Sequence, residues 1–107
     1  MLPLERYLRH LTVERGLSKN TLAAYRADLA KYVEFLEAAG TEPMAASHLD
    51  LEEFSNRLTE SGFRASSRAR ILAAVRGFHK FLALEGLRAD DPTSRLRQPK
   101  LPSRLPK

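Results

Sequence analysis

Residues 66–82 read SSRARILAAVRGFHKFL, and two helical faces separate within them. Ile71, Leu72, Val75, Phe78 and Leu82 recur with the spacing of one buried helix stripe. At roughly 100° per residue, the opposite face carries Ala69, Ala73, Arg76, Gly77 and Lys80, with Arg68 and Arg70 on its flanks. A helix that meets only water has no use for so many small residues, and Gly77 costs roughly 1 kcal/mol of helix propensity relative to alanine. Small side chains let the backbone approach another body closely, and flanking cations suit phosphates. A helix laid into a DNA major groove has this design. Contact with another protein domain is the other reading of the same face.

Similar stripes lie upstream. Leu4, Tyr7, Leu8 and Leu11 predict a helix over about 3–15, opening at Pro3. Leu22, Tyr25, Leu29, Tyr32, Val33 and Leu36 predict a second to about Ala39, capped by Ser18. Its outer face holds Asn20, Ala23, Ala24, Ala27 and Lys31, with Lys19 and Arg26 at the margins, before Glu34 and Glu37 turn it acidic. A third helix is predicted to open at Asp50, with Glu53 completing a capping box, and to bury Leu51, Phe54 and Leu58. The fourth starts near Ser66. There Ser66 and Ser67 offer donors at a positive helix end, or simply cap it. Asp91-Pro92 opens a short fifth turn. Gly16, Gly40, Gly62 and Gly86 stand where these helices stop. Period-2 alternation is absent, so the expected fold is an all-α, compact four-helix bundle. Pro99, Pro102 and Pro106 predict an extended linker over 98–107, after a domain over 1–97.

Charge is uneven along the chain. Net charge is +5; residues 1–63 carry seven Lys/Arg against ten Asp/Glu, whereas residues 64–107 carry eleven against three. A basic half of that kind points to a polyanion, nucleic acid first. No cysteine is present, which excludes disulfides, thiolate metal sites and cysteine nucleophiles. No apolar run approaches the roughly 20 residues of a membrane span, and no signal peptide follows Met1. A cytoplasmic protein is expected.

Catalytic motifs are missing. His10, His48 and His79 lie in separate segments without ligand spacing, so no metal or other cofactor is expected. Tyr7, Tyr25 and Tyr32 sit on core stripes, and Glu52 and Glu53 suit the first turn of a helix. There is no phosphate-binding glycine loop and no nucleophile elbow.

Three stretches together resemble the core-binding domain of Xer-type tyrosine recombinases and phage integrases. LSKNTLAAYRADL at 17–29 is similar to the family's L-S-x-N-T-L-x-x-Y-x-x-D-L. SRARILAAVRGFHKFL at 67–82 is similar to S-x-x-R-x-L-x-x-x-R-x-F-x-x-F-L, and Asp91-Pro92 followed by PKLPSRLPK at 99–107 is similar to the junction before the catalytic domain. The resemblance implies a SAM-like bundle forming one jaw of a clamp on a recombination site, with its second and fourth helices facing double-stranded DNA. Lys19, Asn20, Thr21, Arg26, Ser66, Ser67, Arg70, Arg76 and Lys80 are then candidate DNA contacts. Lys100, Arg104 and Lys107 fall in the segment crossing to the other jaw. The family's catalytic residues lie in its carboxy-terminal domain, so this chain is expected to be a fragment without strand-cleaving activity. Its expected partners are DNA, that catalytic domain and other recombinase protomers. Gly77 stands where many relatives carry a side chain, which implies a lost DNA contact or a closer backbone approach to DNA. A helical protein-interaction domain is the alternative.

Overall fold

A computed structural model describes residues 2–96. The first helix, α1 (Pro3–Val13), has proline at its first position and buries Tyr7, Leu8 and Leu11. The second, α2 (Lys19–Ala38), is capped by Ser18, whose Oγ accepts from the Thr21 amide at 3.2 Å. It buries Leu29, Tyr32 and Leu36, and Leu22 and Tyr25 pack half-buried against the core. A single 3-10 turn (Pro43–Ala45) leads to α3 (His48–Glu60), and α4 (Ala65–Leu84) follows. No strand occurs among the described residues, and the fold is the all-α four-helix bundle expected.

Two helix starts differ from expectation. Helix α3 opens three residues early, because Ser47 rather than Asp50 is its N-cap. Ser47 Oγ accepts from the Asp50 amide at 3.2 Å, while the Asp50 carboxylate accepts from the Ser47 amide at 2.8 Å. The box is therefore Ser47–Asp50, and Glu53 has no part in it. Helix α4 has Arg64 at its N-cap with no side-chain bond. Ser66 and Ser67 lie inside the first turn, and neither caps it.

The glycines behave as stops. Gly16, Gly40, Gly62 and Gly86 have φ between 61° and 85°, the left-handed region that closes a helix without a Cβ penalty. After α4 the chain makes a hydrogen-bonded turn over Pro92–Arg95 rather than a helix. Asp91 Oδ1 accepts from the Thr93 amide at 2.8 Å and from its hydroxyl at 2.6 Å, and Leu96 is buried behind them.

Helices α2 and α4 make the most extensive contact of the bundle, and α3 and α1 pack on the pair. Tyr32, Phe54 and Phe78 fill the centre with Leu11, Leu29, Leu36, Leu51, Ile71, Leu72, Val75 and Leu82. Rings meet at tilted angles, Tyr32 with Phe54 at 5.2 Å and Tyr7 with Phe81 at 5.3 Å between centroids.

Gly77 needs a different reason from the one its sequence position suggested. A Cβ placed there would lie 2.5 Å from the Tyr7 hydroxyl. Tyr7 is itself wedged against Phe78 and Phe81. The glycine lets α1 approach α4, so its missing side chain is explained inside the bundle.

Candidate nucleic-acid interface

The start of α2 presents Lys19 and Asn20 to solvent, followed by exposed Ala23, Ala24 and Ala27. Thr21 is half-buried and committed to the cap, its Oγ1 accepting from the Ser18 hydroxyl at 3.0 Å. Arg26 is exposed but reaches sideways to Glu5 of α1, at 3.0 Å. A surface pair of this kind contributes little to stability and exchanges readily for another anion.

On α4 the exposed residues are Ser66, Arg70, Ala73, Lys80 and Leu84, while Ser67 and Ala69 are half-buried. Lys80 reaches solvent. Arg76 is half-buried, and burial lowers its pKa. Its guanidinium donates to the Leu96 carbonyl, tying α4 to the turn that follows it.

Arg70 has a partner that the sequence reading missed. Its Nε and Nη2 donate to the two oxygens of Asp28 on α2, both at 2.9 Å. Asp28 is 1% exposed, whereas the Arg70 side chain is 55% exposed. The hydrogen bond to Asp28 and its charge hold the guanidinium more firmly protonated. The signal was present in the sequence: Asp28 is a carboxylate one helical turn before Tyr32 and beside Leu29, and a charge on a core flank requires a cation.

Arg88 was also missed, since no helical period announces it. Its guanidinium donates to the carbonyls of Pro43 and Ala46 and pairs with Asp90 at 2.8 Å. Asp90 is held below the usual carboxylate range, first by that hydrogen bond. Tyr32 and His79 share a buried hydrogen bond of 2.7 Å. Burial raises the tyrosine pKa and lowers that of His79 to about 4, with Arg88 adding to the histidine shift.

The structure thus brings Lys19, Asn20, Arg70 and Lys80 to the surface of one helix pair, with Ala23, Ala24 and Ala27 of α2 and Ala73 of α4 exposed among them. Lys100, Arg104, Lys107 and the linker lie outside the described residues. Among the described residues, no group of three or more His, Asp or Glu could hold a metal ion, and no helix is long and apolar enough to cross a membrane.

A strand-free helical domain with small-residue, cation-flanked outer faces is the class that these features define. Residues 4–86 match the family described as phage integrase, N-terminal SAM-like domain, and the chain belongs to that family. It is 45% identical over 104 residues to the tyrosine recombinase XerD of Yersinia pestis, spanning 97% of this chain and 35% of that protein. It is 46% identical to XerD of Rhizobium meliloti (strain 1021), spanning 97% and 33%. The integrase from mycobacterium phage Brujita shares the fold, with a TM-score of 0.78 at 21% identity over 98% of this chain and 35% of that one. The chain spans about a third of the length of these relatives.

Proposed function

We propose that this domain binds double-stranded DNA, as one jaw of a clamp that a site-specific tyrosine recombinase closes on its recombination site. The observation that carries the reading is the exposure of Lys19, Asn20 and Lys80 on two packed helices whose exposed residues include Ala23, Ala24, Ala27 and Ala73. Those alanines admit a close duplex, and the cations and amide sit where phosphates and base edges would come. Ser66 and Ser67 lie at the positive end of α4, where amides favour an anion. Strand cleavage belongs to the catalytic domain of the whole protein, which acts with further protomers in the cytoplasm. Resolution of chromosome dimers is the process we assign to it, in keeping with the Xer-type motifs. The domain boundary near residue 97 and the linker beyond it belong to the same reading.

Titration of a fluorescently labelled duplex against the chain tests this by anisotropy. Affinity should fall steeply with salt, and Lys19→Ala and Lys80→Ala should each reduce the salt slope by about 0.9 and weaken binding several-fold. Glu37→Ala, on the same helix as Lys19 but past the alanine face, should bind as wild type. Equal effects from all three variants would remove the assigned face.

A protein-docking role is the second reading. It is favoured by the exposure of Leu2, Val13 and Leu84 at 73%, 66% and 77%. On that reading alone, the chain would leave duplex anisotropy unchanged at low salt.

A further inference from the structure

We propose that Asp28 is a positioning residue for the DNA-facing surface, holding Arg70 so that the guanidinium's outer fork is aimed along the α2–α4 seam. This deepens the DNA-binding reading and rests on it.

The pair joins two environments. Asp28 is buried at 1% exposure, yet the arginine it grips is 55% exposed on its side chain. A guanidinium has two edges that can chelate an anion. The edge made by Nε and Nη2 is taken by both Asp28 oxygens, each at 2.9 Å. The other edge, between Nη1 and Nη2, makes no hydrogen bond to any described residue. Arg70 thus resembles a bracket, fixed on its protein side and open on its outer side. The open edge matches a phosphate or the O6/N7 pair of guanine. A free arginine must order several rotatable bonds when it binds, and the carboxylate has already ordered this one.

Charge makes the alternatives distinguishable. Asp28 and Arg70 are neutral as a unit, so the pair adds little to long-range attraction. If Asp28 served only to hold the helices together, its conversion to a neutral residue would raise the net charge by one and strengthen binding to a polyanion. As a positioning residue it has the opposite effect, because the released arginine loses its aim.

Asp28→Asn and Arg70→Lys are compared with wild type by anisotropy on a labelled mixed-sequence duplex, at a temperature where circular dichroism shows all forms helical. Asp28→Asn should bind several-fold more weakly than wild type despite its added charge. Arg70→Lys keeps the charge and the pairing but loses the second edge, and it should weaken binding by a similar factor. The two changes combined should cost no more than either alone. Should Asp28→Asn not fold, Arg70→Lys decides: wild-type affinity in that variant overturns the proposal. Equal or tighter binding by Asp28→Asn overturns it also, while leaving the DNA reading intact. Failure of the wild-type chain to bind the duplex at low salt removes both.

Discussion

Gly77 shows how a single residue can be read correctly for size and wrongly for place. Its smallness is required, but by the Tyr7 hydroxyl, which would lie 2.5 Å from an added Cβ. Gly77→Ala gains helix propensity of roughly 1 kcal/mol and loses more to overpacking, since Tyr7 is backed by Phe78 and Phe81. A net destabilisation of about 1–2 kcal/mol is expected in urea unfolding. Tyr7→Phe removes the obstructing oxygen and should recover most of that loss in the double variant. No recovery would mean that α1 contacts Gly77 in some other way.

At the scale of elements, the joints between helices are buried polar pairs. Tyr32 on α2 and His79 on α4 share a 2.7 Å hydrogen bond in the core, and His79 Nδ1 has no hydrogen-bond partner among the described residues. His79 is buried neutral, with its pKa lowered to about 4 from 6.5. Above the unfolded pKa both states are neutral and the folded state keeps its full stability. As pH falls through that value the unfolded chain takes up a proton first, so stability declines until the folded pKa is reached. This residue alone should make the chain about 2 kcal/mol less stable at pH 5 than at pH 7.5. Urea unfolding at the two pH values checks it against the double variant Tyr32→Phe/His79→Leu, in which both buried polar groups are gone. A pH dependence as steep in the double variant would assign it to other groups.

Across the whole molecule, one arginine joins parts that no helix connects. Arg88, with its side chain only 11% exposed, reaches from beyond α4 to the carbonyls of Pro43 and Ala46 between α2 and α3. Arg88→Ala strands those carbonyls and removes packed side-chain carbon, a loss of about 2–4 kcal/mol. Thermal unfolding should show it as a drop of many degrees. Asp90→Ala removes only the exposed partner and should shift the midpoint little. The positive excess after residue 63 takes on a different meaning in three dimensions. Arg70, Arg76 and Arg88 each hold a partner within the bundle. Arg76 and Arg88 are thereby half-buried, and the exposed surface of the helix pair keeps Arg70, Lys80 and Lys19, the last from the acidic half.

The helices, their four glycine stops and the family were legible in the sequence itself. The interactions that encode them lie within one or two turns: apolar periodicity, a serine cap, a left-handed glycine, a motif along one stretch. The helix starts were less legible, because Ser47 and Asp50 compete as caps over three residues. Only the tertiary structure decided which partner each polar side chain takes. Asp28 and Arg70 are 42 positions apart, Tyr32 and His79 are 47, and Arg88 is 45 from Pro43. Local periodicity tells which face of a helix is buried, but the neighbour on that face depends on how the helices cross. Packing alone made Gly77 a contact for α1 and turned Arg70 from a free surface cation into one held by a buried carboxylate.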